Sequence, residues 1–113
     1  MTKRCVVYSA SLAAALVFCS GTSAIEVSSA DAVRIATEYL RHYHVEVRSL
    51  KTSVKFRSEP GGDATDRTVR QKLIHRRHWW VYFTPRNRDV YGGAHSIYIA
   101  PETGEVIGSC SER

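Results

Sequence analysis

The sequence predicts an α+β fold, with one N-terminal helix packed on a three- to five-stranded antiparallel meander sheet after a cleavable signal peptide. Three observations carry this reading. Ala32, Ile35, Ala36, Tyr39, Leu40 and Tyr43 recur at spacings of three and four, the single apolar stripe of an amphipathic helix. The second half of the chain alternates with a period of two, in runs broken by Pro and Gly. The opening stretch has a short basic start, an apolar or small core and a small-residue end, the three-part pattern of an export signal.

In the opening segment, Lys3 and Arg4 supply the positive start and residues 5–19 the apolar core, which is too short to span a bilayer. Gly21-Thr22-Ser23-Ala24 places small residues where a signal peptidase needs them, so the expected cut follows Ala24. Phe18 before Cys19 is too bulky for a lipoprotein signal. The expected organisation is a signal peptide over 1–24 and one domain over 25–113, located in the periplasm or secreted.

Of the 113 residues, 16 are basic and 11 acidic; without the first 24 the chain keeps 14 basic and all 11 acidic side chains, a net charge of +3. A domain of that size has a modest core and little room for a large enclosed active site. Of the three cysteines, Cys5 and Cys19 leave with the signal peptide, and Cys110 is left alone near the C-terminus, either idle or paired with another chain.

Ser28 is the expected N-cap of the helix, with Asp31 three residues on in a variant of the capping box. Arg34, Thr37, Glu38 and Arg41 face away from the stripe, and the helix should end near residues 42–44. Val45 and Val47 begin an alternating run that Leu50, Thr52, Val54 and Phe56 continue with shifted parity, so a bulge or short turn lies near Ser49. Residues 58–66 form a loop centred on Pro60-Gly61-Gly62. Residues 68–74 either lengthen the next strand or form a strand of their own. Residues 78–84 (HWWVYFT) form a strand that stops at Pro85, and residues 94–100 form another. Pro101-Glu102-Thr103-Gly104 is a tight turn with Gly available for positive φ, and residues 105–109 close the sheet.

The helix pattern Ala32, Ile35, Ala36, Tyr39 and Leu40, the strand residues Trp79, Val81 and Phe83, and the ending Ile97 to Ile107 with Thr103-Gly104 in its turn resemble the PepSY domain. That resemblance covers most of residues 25–113 and implies a small exported or membrane-associated α+β module, related in shape to cystatins. It implies a role in restraining or regulating peptidases, with no catalytic residues to carry over. The W-x-V strand, the Gly-Gly connection and the strand after it also look like nuclear-transport-factor-like immunity proteins, which neutralise a toxin. Those folds usually carry extra helices that this chain lacks. Both resemblances imply binding to another protein.

Alternation sends Trp79, Val81 and Phe83 to one face, where Ile97 and Ile99 join them against the helix. Trp80, Tyr82 and Thr84 fall on the other face with Ser96 and Tyr98. One helix covers only one side, so Trp80, Tyr82 and Tyr98 are expected to form an uncovered aromatic patch of the kind enriched at binding hot spots. Lys72, Arg76, Arg77, Arg86 and Arg88 surround it, and Arg pairs well with carboxylates on a protein surface. The candidate contact residues are therefore Trp80, Tyr82, Tyr98, Arg86 and Arg88, on the sheet face or in the connection over residues 85–93.

Other chemistries have less support. Export argues against a nucleic-acid partner despite the basic and aromatic interleaving. His42 with His44 and His75 with His78 lack a further ligand at established spacing, so neither a metal nor another cofactor is expected. Cys110 has no local base or pKa-lowering motif, so no catalytic residue is assigned and an enzyme is not expected. The functional expectation is an exported small binding protein, a peptidase inhibitor or regulator that acts by surface occlusion. The alternatives are an immunity protein against an envelope-targeted toxin and a binder of anionic lipid or glycan. The partner would be a peptidase or toxin. A homodimer or contact with a membrane surface is also compatible with these features.

Overall fold

The computed structural model describes residues 3–7, 26–87 and 93–112. Residues 8–25, most of the segment read as a signal peptide, and residues 88–92 lie outside the described residues. The elements are β1 (Lys3–Val7), α1 (Ser29–His42), β2 (Leu50–Arg57), α2 (Arg67–Leu73), β3 (His78–Pro85), β4 (His95–Ile99) and β5 (Val106–Glu112). All neighbouring strands are antiparallel, in the order β1-β5-β4-β3-β2. The α+β fold follows: a meander of β2 to β5, a helix on its face, and β1 along the β5 edge.

α1 forms where the periodicity places it. Ser28 caps it by accepting a 3.1 Å hydrogen bond from the Asp31 N–H. Ala32, Ala36 and Leu40 are buried, and the two alanines let the helix backbone approach the sheet. Together with Leu50, Val81, Phe83, Ile97 and Ile99 they make one core layer. Tyr43 departs from the expected stripe: it is the C-cap and half exposed, because the helix ends one residue before it. The chain then turns through His44 at positive φ, and the turn near Ser49 rather than a bulge separates Val47 from β2.

Residues 68–74, expected as strand, are mostly helix. Asp66 accepts from the N–H groups of Thr68 and Val69 at 2.9 and 3.1 Å, which caps the first turn. Val69 and Leu73, four residues apart, then lie on one buried face. α2 packs on the side of the sheet opposite α1, near β1 and β5. With Ala64, Tyr98, Ala100, Ile107 and Cys110 its two apolar residues form a second core layer. The sheet is covered on both sides over part of its area.

The β4–β5 turn uses Gly104 at φ 80°, as the Pro-x-x-Gly pattern requires. Val27 N–H donates to the Pro101 carbonyl at 2.7 Å, and Trp79 Nε1–H donates to the Val27 carbonyl at 2.9 Å. These two bonds fix the entry of α1 against the turn and β3. Tyr39 and Ser109 hydroxyls, 2.8 Å apart, tie the last turn of α1 to β5.

Candidate aromatic and basic surface

Register defines what each sheet face carries, since residues directly opposite in an antiparallel pair share a face. Opposite Lys51, Ser53, Lys55 and Arg57 on β2 stand Thr84, Tyr82, Trp80 and His78 on β3. Trp80 and Tyr82 in turn face Tyr98 and Ser96 on β4. The predicted aromatic residues therefore do share a face, the one α2 partly covers.

Their exposure differs from expectation. Tyr98 is fully buried and Ser96 nearly so, while Trp80 and Tyr82 are half-buried. The cause is α2 and the loop over residues 58–66, which close over the β4–β5 side. Tyr98 donates a 2.5 Å hydrogen bond to Asp63 Oδ2 in that loop, and packs edge-on against His78 at 5.9 Å between centroids. Tyr98 is thus a core residue and offers no contact surface. Burial, followed by its bond to Asp63, pushes its hydroxyl pKa well up.

Arg57 organises the boundary between the covered and open parts. Its guanidinium makes two bonds to Asp63, at 3.0 and 3.1 Å, in the fork geometry that suits a carboxylate. It lies 4.0 Å above the Trp80 ring. Trp80 Nε1–H donates to Ser96 Oγ at 3.0 Å, so the indole is held at both its face and its edge. Burial raises the Asp63 pKa, but the bonds from Arg57 and Tyr98 and the charge of Arg57 outweigh it, leaving the carboxyl below its ordinary 3.8. A Cβ at Gly61 would strike the ends of the Arg57 and Asp63 side chains, so a larger residue there would have to displace that pair. Arg70 fastens the same loop through the carbonyls of Gly61 and Ala64, at 2.8 and 2.9 Å.

Beyond Arg57 the face is open. Lys51, Ser53 and Lys55 are exposed, and Tyr82 lies tilted 36° to Trp80 at 5.1 Å. Burial, with smaller contributions from Glu112 and Asp63, raises the Tyr82 pKa, so the phenol stays neutral and can donate a hydrogen bond. Arg86 is exposed at the end of β3, where its Nε–H donates to the Leu50 carbonyl at 3.2 Å. It lines a cleft of about 300 Å³ with Ser49, Leu50, Pro85, Asn87 and Gly93. Arg88 lies outside the described residues. The structure therefore brings Trp80 and Tyr82 together, removes Tyr98 from the surface and sets Arg86 apart at the strand end.

The reading of sequence missed Lys51, Lys55 and the Arg57–Asp63 clasp. The signal for the first two was present, since Lys51, Ser53, Lys55 and Arg57 are the polar half of the β2 alternation. Asp63 could not be read as the partner of Arg57, because a glycine-containing loop must first fold back over the sheet.

Cys110 also departs from expectation: it is buried and disulfide-bonded, and the residue opposite it in the β1–β5 ladder is Cys5. Cysteine counting on residues 25–113 alone left it as a single thiol. His78 is fully buried, with Nδ1 2.8 Å from the Arg76 carbonyl. Its Nε2 and the Nε of Arg57, directly opposite on β2, are buried without a hydrogen-bond partner. Among the described residues no three His, Cys, Asp or Glu side chains converge on a metal position, and no helix is long and apolar enough to cross a membrane. No family model, curated protein or solved structure matches the chain.

Proposed function

We infer that the chain is an exported, PepSY-like small binding protein, a peptidase inhibitor or regulator that works by covering a partner's surface. The observation that carries this reading is the half-buried Trp80–Tyr82 pair beside exposed Lys51, Ser53 and Lys55. It supports binding because rigid aromatics present large contact area at low entropic cost, and Trp80 is already held by Arg57 and Ser96. Lysines beside them would attract a carboxylate-bearing surface and speed encounter. The contact set is revised to Trp80, Tyr82, Lys51 and Lys55, with Arg86 at its margin. The mechanism is steric occlusion, with no bond made or broken by the chain.

The test is affinity capture from cell-envelope extract with the parent chain and a Tyr82→Ala variant, followed by direct titration of the captured protein. Tyr82 is chosen because its side chain makes no hydrogen bond among the described residues, whereas Trp80 bonds Ser96. The expected result is one peptidase whose activity falls as the parent is added, with affinity reduced at least about tenfold in the variant. A captured toxin that is neutralised instead would replace the peptidase assignment. Equal binding by parent and variant would remove Tyr82 from the contact surface.

A further inference from the structure

β2 is the last strand of the sheet. It pairs with β3 along all eight of its residues, and no strand lies on its other side among the described residues. Outside that ladder, no backbone hydrogen bond reaches residues 51–57 from another described segment. Such an edge is a template for a further strand, and proteins blunt it by short length, proline, a bulge or charge. β2 is eight residues long, has no proline and keeps unbroken register with β3.

What this edge carries is asymmetric. On the face of Trp80 and Tyr82 it presents Lys51, Ser53 and Lys55, all exposed, and neither lysine has an ion-pair partner among the described residues. On the opposite face it presents Thr52, Val54 and Phe56. Phe56 is 42 % exposed, packs edge-on against Trp79 at 4.8 Å and lies 5.1 Å from the Arg77 guanidinium carbon. No acidic residue occurs anywhere from 47 to 58. Lysines on both edges would repel a second copy pairing through β2, because like charges facing across an antiparallel pair are destabilising. The same lysines attract carboxylates.

The geometry points to strand addition at β2 by an extended acidic segment of a partner protein. Its backbone takes the open side of β2, its carboxylates meet Lys51 and Lys55, and its alternate apolar side chains lie beside Val54 and Phe56. Lys51 and Lys55 are four residues apart on one face, so carboxylates at the same spacing along an extended chain match them. Backbone pairing supplies affinity and the alternation supplies selectivity. The inference rests on the binding-protein reading and names the chemistry of the partner's contacting segment.

Two synthetic peptides test it on the full chain: one alternates Glu with Val, the other Lys with Val. Tryptophan fluorescence reads affinity and hydrogen exchange reads the amides of residues 51–57. The Glu peptide is expected to bind about tenfold tighter or more than the Lys peptide, from two surface charge pairs and the loss of repulsion. It should slow exchange at alternate amides of β2. A Lys51→Glu/Lys55→Glu variant, with its circular dichroism unchanged, should reverse the preference. Undetectable binding of the Glu peptide, equal binding of both, binding without protection in β2, or a preference that survives charge reversal would each overturn the inference. Dimerisation through β2 would do so too. If β2 fails these tests while Tyr82→Ala still weakens the captured complex, the aromatic surface stands and only the edge is wrong.

Discussion

His78 has ring nitrogens in two different circumstances. Nδ1 donates to the Arg76 carbonyl, so in the neutral ring Nε2 carries the lone pair, buried and without a partner. Burial pulls the pKa down first; the Arg76 carbonyl raises it again, and the charge of Arg57 lowers it. The folded value lies below the ordinary 6.5, so the unfolded chain binds the proton more readily. Stability from this residue is complete above pH 6.5 and is lost as pH falls through the folded pKa. His95, also lowered by burial, adds a loss of the same sign. Asp63 acts in a lower window: its contribution is complete above 3.8 and is lost as pH falls through its depressed pKa. Urea midpoints measured between pH 7.5 and 5 should therefore fall with pH in the parent. His78→Asn keeps a donor near the Nδ1 position and cannot titrate, so it should flatten that slope in part, with His95 supplying the remainder. A slope unchanged by His78→Asn would mean the buried ring does not control it.

α2 is short, and its stability depends on its ends and on tertiary packing more than on propensity. Asp66→Ala removes the acceptor for two backbone N–H groups and should cost about 1 kcal/mol, while Asp66→Asn should restore most of it. Equilibrium denaturation checks the stability, and Trp80 fluorescence reports whether the loop and α2 still close over the sheet. The same element shows what was readable in the sequence. α1 could be read apart from Tyr43, because fourteen residues carry more than three turns of one stripe behind a capping serine. β3, β4 and their faces were readable from alternation alone. α2 offers only Val69 and Leu73 as an apolar pair, too few to separate a helix from a strand without recognising Asp66 as a cap. Missing α2 removed the cover over β4 and placed Tyr98 outside. The burial of Tyr98 rests on Asp63, 35 positions earlier in the chain, a contact that only the folded loop creates.

At the scale of the whole molecule, β1 joins two readings that otherwise stand apart. Its register against β5 runs from Lys3↔Glu112 through Cys5↔Cys110 to Val7↔Gly108, and Cys110 is disulfide-bonded. Those five residues belong to the segment expected from sequence to be a signal peptide. Cleavage after Ala24 would take β1 away, make β5 the edge strand in its place and leave Cys110 with no other cysteine in the chain. The comparison to make is between the full chain and residues 25–113, both without reductant. Iodoacetamide should leave Cys110 unmodified in the full chain and either alkylate it in the shorter one or find it in a dimer. Alternate amides of residues 108–112 should exchange faster in the shorter chain, because their partners on β1 are gone. Protection unchanged in β5 would mean that β1 adds nothing to the sheet. An intact N-terminus on protein recovered from the envelope would mean that β1 stays as the strand at that end of the sheet.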